Sequence, residues 1–399
     1  MFKKLLSIAL AAVMAVSFAV VATGCGSDSK GESEDGLKFG FIYLHDENST
    51  YDNNFLTAAK EACEKMGVEM INKTNIDESD ACKEAALDLV DQGCDIIFAD
   101  SFGHEDFMIE AAKANPDVQF LHATGTKAHT EKLDNFHNAF ASIYEGRYLA
   151  GIAAGMKINE MIDGGKITKK EAKMGYVGAH PYAEVKSGYT SFYLGAKSVC
   201  PTVTMEVTFT GSWYDETLEK EAANKLIADK CVLISQHADS MGAPTACESA
   251  KVPNVSYNGS TVKACPNTFI VSSRINWAPY FEYAIKCVKD GKAIDTDWTG
   301  TVATGSVELT DVNEKAAAKG TQEAIDAAKA NLKSGKVNVF DTANFTVKGK
   351  ALTTYKADVD TDPEFKGDTE VIKDGIFEES KYRSAPYFDV DIDGISVIK

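Results

Sequence analysis

The 399-residue sequence lacks the short motifs that mark many enzymes: it holds no Walker loop, no GxGxxG after a strand, no GxSxG and no HExxH. P-loop chemistry, a Rossmann dinucleotide site, a nucleophile elbow and a zincin helix are excluded with them. No two cysteines are spaced CxxC, so a zinc or redox motif has no support. Basic side chains are scarce, 41 Lys and Arg against 59 Asp and Glu, a balance that excludes nucleic acid as a natural partner. Beyond the first two dozen residues no apolar run is long enough to span a bilayer.

The first segment that is present reads as a leader. Lys3 and Lys4 precede an apolar run from Leu5 to Val21, and the small residues Ala22, Thr23 and Gly24 lead to Cys25. This is the pattern of a signal peptide over residues 1–24 with a lipobox-like end, Ala22 standing where such boxes usually carry Leu, and it makes Cys25 the lipidated first residue of the mature chain. The run is short for a transmembrane anchor. Cleavage would remove two Lys and no acid, so the 41 basic residues fall to 39 against 59 acidic ones, a net charge of −20. Residues 25–36, rich in Gly, Ser and acid, read as a flexible tether. Of the eight further cysteines, an even number in an exported chain permits disulfides, with free buried thiols as the competing reading. Cys247 with Cys265 is the pair to test first.

The body of the chain is organised around Leu89 to Glu105, LVDQGCDIIFADSFGHE. A helix tail ends at Gln92 and Gly93, Cys94 to Ala99 forms a short apolar run suited to a parallel strand covered on both faces, and a polar loop follows. Glu221 to Ser240 repeats this order and ends on Gln236, His237 and Asp239. With strand and helix alternating throughout, the pattern predicts an α/β protein of two doubly wound lobes with a cleft at the carboxyl ends of their strands. The expected ranges are 37–137 for the first lobe, completed by about 276–305, and 138–275 for the second. Residues 306–399 are expected to hold strands and an irregular wrap, with Gly300 to Leu309 and Asn338 to Thr354 alternating like hairpins.

The expected cleft loops carry the rings Tyr51, Phe102, Trp213, Tyr214 and Trp277, and the polar side chains Asp46, Asn48, Gln236, His237, Asp239, Asn258 and Asn276. Rings sandwich a flat ligand, each base-to-ring stack contributing roughly 1–3 kcal/mol, while carboxylates and amides bond its edges. Other roles fit some of these residues equally: Phe102 and Trp277 as core plugs, Asp46 and Asp215 as helix N-caps, Gln236 and His237 as partners of loop backbone.

Seven segments together carry a family resemblance: SFGHEDF (Ser101 to Phe107), HATGTKA (His122 to Ala128), YEGRYLAGIAAG (Tyr144 to Gly155), GYVGAHPYAEV (Gly175 to Val185), GSWYDET (Gly211 to Thr217), SQHADS (Ser235 to Ser240) and INWAPYFE (Ile275 to Glu282). In this order the chain resembles the basic membrane protein family of ABC-importer substrate-binding lipoproteins, its purine-nucleoside-receptor-like group. The resemblance implies a type I periplasmic-binding-protein fold that takes a purine base or nucleoside between its lobes. It places Asp46, Phe102, Trp213, Gln236, His237, Asp239, Asn276 and Trp277 on pocket motifs. Two loops depart from the family pattern. The first reads HDENSTY, with Ser49 at a tryptophan position and Tyr51 as the nearest ring, and the loop at Tyr257 to Ser260 lacks an acid usual there.

The expectation is therefore a monomeric receptor without cofactor, lipid-anchored at Cys25 on the outer face of the membrane, which hands a purine-like solute to an ABC permease. A sensor lipoprotein reading the same ligand is the alternative. A nucleoside hydrolase is a further one, needing a metal or a poised carboxylate pair that no DxDxxxD-like cluster supplies.

Overall fold

A computed structural model describes residues 36–359 and 367–398; the expected signal peptide, Cys25 and nearly all of the tether lie outside the described residues. The first sheet forms from β1 (Lys38–Ile42), β2 (Glu69–Lys73), β3 (Ile96–Ala99), β4 (Gln119–Ala123) and β5 (Phe136–Ala141). Helices α1 (Thr50–Met66), α2 (Asp80–Asp91), α3 (Glu105–Ala114) and the short turn α4 (Ala128–Glu131) connect them. All four residues of β3 are buried, as a strand covered by helices on both faces requires. Local chemistry sets the helix ends. Ser49 caps α1 by accepting from Asp52 N, and Gly67 closes it at φ 63°, a conformation that suits glycine.

The second sheet follows from α5 (Ile143–Asp163), β6 (Lys173–Gly178), α6 (Ala183–Val199), β7 (Thr204–Phe209), α7 (Glu216–Ala228), β8 (Leu233–His237), α8 (Gly242–Ala250), β9 (Asn254–Tyr257) and β10 (Phe269–Ile275). The chain then returns through α9 (Ala278–Asp290) to β11 (Asp297–Gly300), crosses again to β12 (Val307–Leu309), and continues into α10 (Thr321–Lys333). Strand order is β11-β5-β4-β3-β1-β2 in one sheet and β12-β10-β9-β8-β6-β7-β17 in the other, where β17 is Ile395–Val397. Within these two sheets only β12 runs antiparallel to its neighbour. Strand order reverses beside β1 in the first sheet and beside β6 in the second, and those reversals open the crevices in which doubly wound sheets bind ligands.

Helices α5 and α6 pack backbone to backbone. A Cβ on Gly151 would stand 2.0 Å from Phe192 O, and one on Gly195 would stand 2.0 Å from Tyr148 O. This close approach accounts for the small residues of YEGRYLAGIAAG.

Several expectations are corrected. The first sheet continues through β5 to Ala141, past the expected boundary at 137/138, because Phe136 to Ala141 is a fully buried strand beside β4. Gly300 to Leu309 is no hairpin, since β11 and β12 join different sheets. Asn338 to Thr354 forms no regular hairpin strands: it holds a short 3-10 turn at Thr342–Asn344, a tight antiparallel bridge from Val347 to Lys350 and a second antiparallel bridge from Asp341 to Ile376. Helix α10 was not read from the sequence. All eight described cysteines are free and buried, so Cys247 and Cys265 are not bridged. Burial accounts for them as apolar packing groups, and it pushes the Cys265 thiol up to about 11.

The described residues beyond 340 run over both lobes and include the two-residue strands β13 (Lys356–Ala357), β14 (Thr369–Glu370), β15 (Ile372–Lys373) and β16 (Ile376–Phe377). Ser384 N donates to Asp297 Oδ1 (2.8 Å) on the first lobe, and Lys186 of α6 pairs with Asp389 (2.6 Å). Glu379 is buried against the Ser187 hydroxyl of α6, and burial lifts its carboxyl from 4.5 to about 7. An acid whose folded pKa is raised contributes stability below its unfolded pKa and loses it as pH rises through the folded one. Glu379→Gln is therefore expected to match wild type in denaturant melts near pH 4 and to exceed it by up to about 3 kcal/mol above pH 8. An equal difference at both pH values would contradict this.

Candidate ligand-binding cleft

The carboxyl ends of the two sheets face each other. From the first lobe come Leu44 and His45 after β1, Tyr51 in the first turn of α1, Ser101 and Phe102 after β3, and Thr124 after β4. Glu184 in the first turn of α6, Trp213 between β7 and α7, His237 and Asp239 at the end of β8, and Tyr257 at the end of β9 complete the wall. The cavity enclosed among these side chains is only about 20 Å³, room for about one water, so a small-molecule ligand requires the two halves to part.

Buried carboxyls brace the first-lobe half. Leu44 N donates to Asp100 Oδ1 (3.1 Å) and His45 N to Asp52 Oδ1 (2.8 Å), so neighbouring acids hold consecutive amides of the loop. Burial, and then the Asp52 charge, push the Asp100 carboxyl well above its ordinary range. Burial also works against Asp52, but hydrogen bonds from His45 and Ser49 outweigh it and lower that carboxyl. The Tyr51 hydroxyl donates to Asp100 O (2.7 Å), which fixes the ring at the cleft.

In the second-lobe half, His237 Nε2 lies 3.3 Å from Glu184 Oε1, and burial lowers the imidazole pKa. Asp239 Oδ1 accepts from Asn258 Nδ2 (3.1 Å), and burial followed by the charges of Glu219, Asp52 and Glu184 raises its carboxyl well above 3.8. The lobes touch at the rim of the site. Thr50 N donates to Asp239 O (3.2 Å), Asn54 Nδ2 donates to Asn258 Oδ1 (3.4 Å), and His45 meets Tyr214 ring to ring at 5.2 Å.

Of the residues expected at the site, Tyr51, Phe102, Trp213, His237 and Asp239 converge on this space. Phe102 is 40% exposed, and it and Trp213 both lean on Tyr182, at 5.6 and 6.0 Å between centroids. Asn258 stands just behind, holding Asp239. Tyr214 stays at the rim against His45 and Asn48 bonds within its own loop, and four further expected residues do not reach the space. Asp46 turns back onto its own loop, accepting from Asn48 N (3.0 Å), and α1 is capped by Ser49 instead. Gln236 points into the sheet, where its Oε1 accepts from Asn254 Nδ2 (3.0 Å). Asn276 sits at a crossing between lobes, its amide bonded toward Gly305 O and its Oδ1 accepting from Ala278 N (3.1 Å). Trp277 is 1% exposed and stacks on Phe55 at 4.5 Å in the first-lobe core. Asp215, the other proposed cap, does cap α7. Leu44, His45, Ser101, Thr124, Glu184 and Tyr257 were not singled out. Their available signal was position: each lies at the carboxyl end of a strand or in the first turn after one.

The family model for PnrA-like ABC transporter substrate-binding proteins matches residues 43–340. The chain belongs to that family. Among relatives, a purine-binding protein of Brucella abortus is 32% identical over 329 residues, 80% of this chain and 88% of that one. A putative ABC transporter glucose-binding protein of Haloferax volcanii is 33% identical over 207 residues, covering 52% and 49%. An ABC transporter nucleoside-binding protein of Lactococcus lactis subsp. cremoris is 26% identical over 262 residues, covering 63% and 70%. The crystal structure of an ABC transporter solute-binding protein from Aeropyrum pernix K1 superposes with a TM-score of 0.64 at 18% identity, over 76% of this chain and 92% of that one. The fold is that of the type I periplasmic solute-binding proteins. This ABC transporter substrate-binding protein has, among its described residues, no helix long and apolar enough to cross a membrane, and no cluster of three or more His, Cys, Asp or Glu side chains able to hold a metal ion.

Proposed function

We propose that the protein is the extracytoplasmic receptor of an ABC importer, tethered by lipid at Cys25, and that it captures a purine base or nucleoside between its lobes for delivery to a permease. The observation that carries this reading is the lining itself: Phe102, Tyr51, Trp213 and Tyr257 supply faces for a flat ring, with Glu184 and Asp239 beside them for edge contacts. The purine-binding and nucleoside-binding relatives support it. A sugar also stacks on rings and bonds to acids, and the glucose-binding relative keeps that second reading in the test.

A ligand that binds only the folded chain raises its melting temperature in proportion to RT ln(1 + [L]/Kd), about 2.7 kcal/mol of stabilisation at a hundredfold excess over Kd. A thermal-shift panel of purine bases, nucleosides, hexoses and amino acids is expected to respond to purines or nucleosides alone. A response to glucose and none to purines would replace the purine reading with the sugar one.

Tethering is tested separately. Cys25→Ala is expected to move the protein from the membrane fraction to the soluble one, because a lipid chain anchors in proportion to its buried CH₂ groups, about 0.8 kcal/mol each. Unchanged fractionation would remove the lipid anchor from the proposal.

A further inference from the structure

Behind the second-lobe wall lies a cation without a carboxylate. Arg147 of α5 is fully buried. Its Nη1 donates to Ser256 O and Ser273 Oγ (both 3.2 Å), its Nη2 to Tyr176 OH (3.0 Å) and Ser235 Oγ (2.8 Å), and its Nε has no partner. The guanidinium carbon lies 5.0 to 5.4 Å from the ring centres of Phe192, Tyr257 and Tyr176. Every contact is neutral. A guanidinium keeps its proton under all ordinary conditions, so a full positive charge is held in the lobe, and such charges are normally paired.

The place of that charge suggests what balances it. Tyr257, one of the rings against Arg147, also lines the cleft and packs on His237 at 4.4 Å. His237 in turn meets Glu184, which faces the cleft space. We propose that Arg147 is a positioning residue of the cleft: acting from behind Tyr257 and His237, its charge balances the Glu184 carboxylate, so that the site is electrically matched to an uncharged heteroaromatic ligand and selects against a cationic one. The proposal rests on the purine reading above for the ligand class, and on the buried geometry alone for the electrostatics.

Facing His237 are Glu184 of α6 at 3.3 Å and the Tyr257 ring of β9, and the Arg147 charge of α5 acts on it from behind. Glu184 favours an imidazolium, while burial and Arg147 oppose it. His237 Nδ1 is buried without a partner, hence the neutral form with Nε2–H donating to Glu184 leaves the fewest unmet donors. Without Arg147 the lobe would carry an unbalanced Glu184, and His237 would take up a proton to replace the missing charge.

The test compares wild type with Arg147→Lys, which keeps the charge, and with Arg147→Gln and Arg147→Met, which remove it. Histidine NMR titration from about pH 5 to 9 reads the His237 ring. Wild type and Arg147→Lys are expected to titrate below the ordinary value of about 6.5, with the neutral variants about one pH unit or more higher. In parallel, calorimetry with inosine and with the cation 1-methyladenosine is expected to show the preference for inosine falling about tenfold or more in the neutral variants only. The proposal is overturned if wild-type His237 titrates at or above the ordinary value, a result that needs no variant to fold. It is overturned equally if Arg147→Lys and Arg147→Gln shift the titration alike, as lost packing would. Absence of binding by either nucleoside in wild type would instead count against the purine reading, and the titration would still decide the role of Arg147.

Discussion

Trp277→Ala is expected to destabilise the protein by about 3–5 kcal/mol, the range for removing a large aromatic side chain from a packed core. The side chain is 1% exposed and stacks on Phe55 at 4.5 Å, with Phe98, Phe140 and Phe281 at 6.0 to 6.3 Å. These rings come from α1, β3, β5 and α9, so one truncation leaves a cavity where four elements of the first lobe meet. Under conditions where the variant remains folded, its ligand affinity is expected to stay within a factor of about two of wild type, because surface or core changes away from the contact leave binding nearly additive with stability. Chemical denaturation measures the first quantity and calorimetry the second. A fully stable Trp277→Ala with weakened binding would put the indole in the site and remove it from the core.

The contrast between Trp277 and Trp213 shows how far the sequence is legible. Both are tryptophans just past a predicted strand, and both lie on motifs of the family. What separates them is where the following helix packs: α9 lies against α1 and carries Trp277 inward, whereas Trp213 stays in the loop before α7. That difference is tertiary, and no local pattern encodes it. The same holds for Gln236 and His237, adjacent in β8, where the alternation of a strand sends one side chain to the sheet interior and the other to the cleft. The lobes themselves were readable, because fully buried strands such as IIFA and capped amphipathic helices are local signals. Strand β5 was missed because FHNAFA runs directly into the small-residue pattern of α5, and α10 because its register lies in a stretch read as irregular. Glu184 and Arg147 both sat within recognised segments, yet their roles depend on which side chains the fold brings opposite them.

The wrap beyond residue 340 falls outside the matched family region and binds to both lobes through Ser384, Lys186 and β17. It is tied to Asp297 of the first lobe on one side and to α6 and β7 of the second on the other.

A flat ligand is expected to be held by rings from both lobes. Phe102 follows a first-lobe strand and Trp213 belongs to the second lobe, and both face the same space. Each stack is expected to contribute about 1–3 kcal/mol, so either single truncation to Ala should weaken binding by roughly five- to 150-fold. The double variant should lose less than the sum, because contacts sharing one partner are not additive. Each ring stands at a cleft edge, so melting temperatures without ligand are expected to stay near wild type, unlike that of Trp277→Ala. The most direct measurement is calorimetric titration of the purine or nucleoside that responds in the panel against wild type, Phe102→Ala, Trp213→Ala and the double variant. A clasp gives weakened binding in both single variants with sub-additive loss in the double; wild-type affinity in either single variant would contradict it.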